Sequence, residues 1–227
     1  MLLKLILGHL IGDFFLQPDC LARTKKGSNI SLMIHSFINA LVIYFIVWNF
    51  SLWWIIPIVF FSHFEIDYIK LHYCRDNLFW FITDQILHLA VLLAIWFIIP
   101  GNLLFTRDVL CGFLNSERVW MYAIVYSMMT MPVSLFIEKL FKRWAEEIPE
   151  YKGLSGAGKL IGYIERFLIV TFVSMGNISA VGFLITAKSV FRFSDIKSSS
   201  DFRMTEYVLL GTLVSFALGI IGGLILI

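Results

Sequence analysis

The sequence has 227 residues, of which 59% are hydrophobic and 15% are charged, and its mean hydropathy is +0.83. Soluble domains are about 45–50% apolar and about 25% charged, so this composition excludes a soluble globular protein and predicts an integral membrane protein. The formal net charge is only +2, and the Lys and Arg residues gather in short loops, which excludes the extended basic face of a nucleic-acid-binding protein.

Eight apolar segments predict an all-α fold, a polytopic transmembrane helix bundle of about eight spans. A helix needs about 20 residues to cross a hydrocarbon core of about 30 Å, and the first, sixth and seventh segments are short for that length. In chain order the segments are Leu2–Gln17, Ser31–Phe50, Leu52–Leu71, Leu78–Ile99, Val119–Leu140, Leu160–Val173, Ser179–Phe191 and Tyr207–Ile227.

Positive charge in the loops predicts the orientation of this bundle. Most of the 18 Lys and Arg residues follow the first, third, fifth and seventh segments. Lys70 is assigned to the basic loop after the third segment. Basic loops remain on the cytoplasmic side of a membrane. The alternation therefore predicts an even number of spans with both termini on the outer side.

We expect a single integral membrane domain over residues 1–227. Within it, residues 1–99 form the helices that carry a His and Asp group. Residues 100–157 form a connecting segment, the fifth span and a basic cytoplasmic loop, and residues 158–227 form the helices that carry a Lys and Arg group.

The first segment carries three polar residues on one face, since His9, Asp13 and Gln17 are spaced i, i+4 and i+8. A charged side chain at the centre of a membrane costs roughly 2.5–3.5 kcal/mol on insertion scales. We therefore expect Asp13 to face protein and to have partners on other segments.

Candidate partners lie on the next three segments. His35 is near the start of the second, His63 and Asp67 are four residues apart on the third, and Asp84 and His88 are four apart on the fourth. At a rise of 1.5 Å per residue these groups lie roughly 6–15 Å from the cytoplasmic ends of their helices. The common depth predicts one pocket that opens to the cytoplasm, with Asp13 and Asp84 facing each other.

Imidazole and carboxylate groups at this spacing predict a binding site for one or two divalent metal ions, with Zn, Mn or Fe favoured. The predicted ligands are His9, Asp13, His35, His63, Asp67, Asp84 and His88. The alternative is that these side chains only form hydrogen bonds between helices, each of which contributes about 0.6–2 kcal/mol.

Further roles are predicted for polar residues in and near this His and Asp group, and two residues are predicted to lie outside the site. Asp13, Asp84 and His88 are the candidate catalytic residues, and Gln17 and Gln85 are candidates to orient the ligands or bind a polar part of a substrate. Glu65 lies about 200° around its helix from His63 and His72 lies in a basic loop, so both are predicted to be outside the site.

A second group of candidate residues lies in the C-terminal segments. Arg166, Lys188 and Arg192 are predicted to bind the anionic head of a substrate, and phosphate is the commonest such group at a membrane. The alternative is that Glu165 pairs with one of these cations and that Arg192 extends to lipid headgroups.

Five stretches of the sequence resemble a known family over nearly the whole chain: His9–Gln17, Asp84–His88, Gly158–Arg166, Ala187–Phe193 and Glu206–Ser215. The chain resembles an uncharacterised bacterial inner-membrane family, the domain-of-unknown-function group 3307. That resemblance implies a multi-pass protein of the bacterial inner membrane and supplies no activity. The His and Asp pairs are also similar to those of membrane proteins described as predicted metal-dependent hydrolases.

These observations lead to a functional hypothesis with two alternatives. The leading hypothesis is a membrane-embedded, metal-dependent hydrolase that acts from the cytoplasmic side on an amphiphilic, phosphorylated, lipid-like substrate. The alternatives are a small proton-coupled transporter, in which the same residues relay protons, and a non-enzymatic scaffold or stress-signalling protein. The sequence leaves the oligomeric state open.

Overall fold

A computed structural model describes residues 1–17, 28–99, 116–145, 156–192 and 199–227, with side chains outside 189–192 and 199–202. These residues form helices and short connections, and they contain no β-strand. The helices are α1 (Leu2–Leu10), α2 (Asn29–Val47), α3 (Ile55–Tyr73), α4 (Leu78–Ile98), α5 (Glu117–Met128), α6 (Met131–Ala145), α7 (Ala157–Ser174), α8 (Ile178–Arg192) and α9 (Ser199–Ile225). The predicted all-α fold is confirmed.

Four helical stretches among the described residues are long and apolar enough to cross a membrane: Asn29–Val47, Leu78–Ile98, Glu117–Ala145 and Arg203–Ile225. This supports the predicted membrane protein. Helices α1 and α8 are shorter, and α3 and α7 each carry three charged residues, so these four are weaker candidates for spans.

Polar caps and prolines define several helix ends. Asn77 caps α4, because its side-chain oxygen accepts a hydrogen bond from the Trp80 amide at 3.0 Å. Pro57 and Pro132 lie in the first turns of α3 and α6, where the missing amide hydrogen has little cost. The fifth predicted segment is interrupted by a turn at Met129 and Thr130.

The chain divides into two compact units, an N-terminal unit of residues Met1–Ser127 and a C-terminal unit of residues Met128–Ile227. In the N-terminal unit α1 packs against α2 and α4, and α3 packs against α2 and α4. In the C-terminal unit α9 packs against α6 and α7, and α8 packs against α7. Each unit has its own apolar core.

Glycines allow close contact between α1 and α2. A Cβ atom on Gly8 would lie 2.8 Å from the Cα atom of Ile43, and one on Gly12 would lie 2.7 Å from Cγ of Asn39. Small residues four apart are a common device for close helix contact in membranes. They bring α2 near enough for its polar side chains to reach Asp13.

Replacing Gly8 by Ala is expected to destabilise the N-terminal unit. The new methyl group meets the Cα atom of Ile43, which cannot rotate away, and overpacking of this kind costs about 1–3 kcal/mol. Thermal unfolding in detergent should show a lower melting temperature. The matched control is Gly182→Ala, whose methyl group meets nothing within 4 Å. Equal melting temperatures for the two variants would contradict the close contact.

Candidate metal centre

Four helices of the N-terminal unit bring together the seven predicted ligands. His9 is on α1, His35 is on α2, His63 and Asp67 are on α3, and Asp84 and His88 are on α4. All six are buried, and His35 is 0% exposed. The four-residue spacing explains how each of α3 and α4 directs two side chains to one place.

Asp13 lies in a π-helical turn, Ile11–Phe15, that continues α1. The Leu16 amide donates to the Ile11 carbonyl, five residues earlier, at 3.0 Å. Single π turns within helices occur frequently at functional sites, because the extra residue re-aims the side chains. Here the turn holds Asp13 next to His9 of the same helix and next to His35 and His63 from two other helices.

The carboxylate of Asp13 uses its two oxygens differently. Oδ1 lies 3.1 Å from Nε2 of His35 and 3.1 Å from Nε2 of His63, and it accepts a hydrogen bond of 2.9 Å from Asn39. Oδ2 lies 3.8 Å from Nε2 of His9. One carboxylate therefore contacts three imidazoles from three helices.

Asp67 also bridges histidines. Its Oδ2 lies 3.7 Å from Nε2 of His35 and 3.9 Å from Nε2 of His63, whereas its Oδ1 lies 3.5 Å from Nε2 of His88. The two oxygens thus face different nitrogen atoms, as a carboxylate does when it joins two cations.

Asp84 completes the group on the α4 side. Its Oδ1 lies 3.6 Å from Nε2 of His88, and its Oδ2 accepts a 2.6 Å hydrogen bond from Lys70 and a 3.1 Å bond from Gln85. Gln85 also donates to Asp13 Oδ2 at 3.4 Å. Asp13 and Asp84 therefore accept hydrogen bonds from the same amide group. Their carboxylates are closer together than about 10 Å, the upper end of the distance between the axes of packed helices.

The hydrogen-bond capacity of the histidines is only partly used. Within the part of the chain that the structure describes, Nε2 of His9 and Nε2 of His88 are buried and have no hydrogen-bond partner. Nε2 of His35 and Nε2 of His63 lie 3.0 Å apart beside Asp13 Oδ1. If both Nε2 atoms carried a hydrogen, the two hydrogens would point at each other. If one Nε2 atom carried none, its lone pair would point at the negatively charged carboxylate of Asp13.

A shared cation would remove these conflicts. Three sets of ligand atoms each lie within 4.8 Å of one another: His9–Asp13–His63, His35–His63–Asp67 and Asp67–Asp84–His88. Ligand atoms about 2.0–2.2 Å from one ion lie at most about 4.4 Å apart, so these sets are close to the separations that a shared ion requires. The sets share His63 and Asp67, so the seven side chains form one connected group.

Two contributors to this site were missed by the sequence analysis. Asn39 was not considered, and Lys70 was assigned to a basic loop, whereas it lies on α3 and binds Asp84. A usable signal existed for both. Asn39 follows His35 by four residues, and Lys70 follows His63 by seven, so each shares a helix face with a predicted ligand.

The remaining predicted site residues have other positions. Gln17 is partly buried just after the π turn. Lys188 donates a 2.6 Å hydrogen bond to Glu165, which is the alternative weighed from the sequence. Arg192 is the last residue of α8, and its side chain is outside the described residues.

Arg166 is 2% exposed, and neutral oxygens hold its guanidinium group. It donates to the carbonyls of Met129 and Thr130, at 2.6 and 3.3 Å, and to the hydroxyls of Ser134 and Ser215, at 2.7 and 3.0 Å. Arg166 and Lys188 belong to the C-terminal unit, so their predicted role beside the His and Asp group stays a prediction.

Comparison with known proteins identifies a family for the N-terminal part. A family model described as "Protein of unknown function (DUF3307)" matches residues 1–109. The match includes all seven clustered His and Asp residues together with Asn39, Lys70 and Gln85. No curated protein matches the chain, and no solved structure matches it.

Replacing Asn39 by Ala tests the support of Asp13. The change removes a buried hydrogen bond to a carboxylate, and bonds to charged groups contribute about 1.5–3 kcal/mol. Ser36→Ala is the matched control, because Ser36 is equally buried on α2 and its hydroxyl bonds only its own helix, at Leu32. Thermal unfolding should show a larger loss of stability for Asn39→Ala, and an equal or smaller loss would contradict the assigned contact.

Proposed function

We propose that this chain, a member of the DUF3307 family through residues 1–109, is a membrane-embedded, metal-dependent hydrolase whose centre lies in the N-terminal unit. One observation carries the proposal. Four imidazole Nε2 atoms converge with two buried carboxylates and one partly buried carboxylate, and two of those nitrogens have no hydrogen-bond partner among the described residues. A group that served only to join helices would be expected to pair its buried polar atoms.

The donor set favours a transition metal. Mixed imidazole and carboxylate ligands suit Zn, Mn or Fe, whereas Ca prefers oxygen ligands alone. Seven candidate ligands exceed the four protein ligands of a typical Zn site. Asp67 directs its two oxygens to different histidines. We therefore propose that these seven residues would hold two ions, as the sites of two-metal hydrolases do.

Hydrolysis is the chemistry that such a centre supports best. Divalent ions held by these ligands would lower the pKa of a bound water towards about 7 and so provide a nucleophile at neutral pH. Asp13, Asp84 and His88 would orient that water, and a carboxylate oxygen of Asp13 or Asp84 would receive its proton. Lys70 holds Asp84 in place and is 33% exposed, whereas Asp84 is 2% exposed. Its cation is proposed to offset negative charge that develops on a phosphorylated substrate.

We further propose a location and a topology for the protein. Eight helical segments would cross or enter the inner membrane of a bacterium, with both termini outside and the metal centre accessible from the cytoplasm. The bias of basic residues among the loops supports this orientation. A site set among apolar helices favours an amphiphilic substrate, whose chain stays in the membrane while its head reaches the metal.

Metal content provides the first test. Asp67→Asn and His63→Ala should each abolish most of the bound metal, measured by elemental analysis of protein purified in detergent without chelators, because each residue belongs to two of the three ligand sets. Glu65→Gln and His72→Ala are the matched controls on the same helix, since both residues are exposed and outside those sets. Metal-free wild-type protein, or equal loss in controls and site variants, would contradict the proposed centre.

Activity provides the second test and separates the proposal from a carrier. Protein in detergent micelles should release phosphate from long-chain alkyl phosphates in a metal-dependent reaction, and Asp84→Asn should lower the rate by at least about 100-fold. Uptake into proteoliposomes without turnover in micelles would instead favour a transporter.

A further inference from the structure

The C-terminal unit contains a cavity of about 790 Å³. Helices α6, α7, α8 and α9 all contribute to its lining, and its apolar wall includes Ile137, Phe141, Leu184 and Val208. Sites for small molecules are typically concave, about 300–1,000 Å³ in volume, mainly apolar, and equipped with a few polar groups. This cavity has those properties, and neither the metal centre nor the family match includes it.

Charged groups in the lining leave one cation without a carboxylate. Lys159 lies 3.6 Å from Glu138, and Lys188 lies 2.6 Å from Glu165. Arg166 is the third cation, and its hydrogen bonds to described residues end on two carbonyls and two hydroxyls. Glu165 attracts this charge without a hydrogen bond to it. A buried charge whose described hydrogen bonds end on neutral dipoles gains from an anion that binds it directly. The cavity therefore complements a ligand with a single negative charge.

Glycines keep part of this cavity open. Gly158 on α7 and Gly211 on α9 line it, and a Cβ atom on either would meet nothing within 4 Å. The lining beside both glycines is therefore open space.

We infer that this cavity binds a membrane lipid with a monoanionic phosphodiester head, whose chain contacts the apolar wall while the head lies near Arg166 and Lys188. The inference does not rest on the proposed hydrolase activity, because every contact that carries it is within the C-terminal unit. It assigns to this half of the chain a function that the metal centre does not provide.

Lipid retention tests the inference directly. The full chain in detergent is mixed with equal amounts of phosphatidylglycerol and phosphatidylcholine of the same acyl chains, and bound lipid is measured by native mass spectrometry. We expect a preference of about tenfold or more for the anionic phosphatidylglycerol. Inorganic phosphate in excess should not displace it, because a free anion lacks the chain. Equal retention of the two lipids, or displacement by phosphate, would overturn the inference.

Two substitutions locate the binding. Gly211→Leu places a side chain in the cavity and should reduce retention of phosphatidylglycerol about tenfold or more. Gly182→Leu adds the same side chain in open space outside the lining and should leave retention unchanged. Glu165→Gln removes the carboxylate beside Lys188 and should increase retention. Equal effects of the two leucine variants, or weaker binding by Glu165→Gln, would contradict the site.

A metal-centre variant separates this inference from the proposed function. His63→Ala should lose metal and still retain phosphatidylglycerol as the wild type does. Loss of lipid in that variant, with the helical content measured by circular dichroism unchanged, would show that the lipid does not bind in the C-terminal cavity.

Discussion

The N-terminal unit depends on how three carboxylates are stabilised among apolar helices. Asp13, Asp67 and Asp84 are removed from water, and an unpaired carboxylate in such surroundings is strongly unfavourable. Imidazole groups, Asn39, Gln85 and Lys70 supply part of the compensation. The close contact of α1 with α2 at Gly8 and Gly12 is needed for that compensation, because it brings Asn39 and His35 within reach of Asp13. Bound cations would add positive charge to that of Lys70.

The C-terminal unit stabilises a buried charge in a different way. Arg166 is surrounded by neutral oxygens, and two of these are carbonyls of the Met129–Thr130 turn, where the helix between Glu117 and Ala145 is interrupted. A helix break exposes carbonyls that a continuous helix would use internally. The guanidinium of Arg166 therefore donates hydrogen bonds to carbonyls at this break. No carboxylate takes part in these hydrogen bonds, whereas Asp84 binds Lys70 directly.

The sequence was informative about side-chain grouping and less informative about packing. Spacing of i, i+4 identified His63 with Asp67 and Asp84 with His88, because residues four apart share a face in any helix. The same rule would have found Asn39 and Lys70, but Asn39 lies in an apolar run and Lys70 near a helix end, where a solvated role is the usual one. The break at Met129 and the role of its carbonyl could not be predicted, since they depend on α7, distant in the sequence. The eight predicted segments contain four strong candidate spans among the described residues, because α1 and α8 are short and because charged residues lower the apolar character of α3 and α7.

We propose that one metal centre is held by seven ligands: His9, His35, His63, His88, Asp13, Asp67 and Asp84. X-ray absorption spectroscopy of the metal-loaded protein in detergent tests it most directly. We predict nitrogen and oxygen neighbours at about 2.0–2.2 Å, the multiple-scattering pattern of imidazole rings, and a second metal at about 3.5–4 Å. A spectrum with only oxygen neighbours and no imidazole contribution would contradict the claim, and a site with imidazole but no second metal would contradict the proposal of two ions.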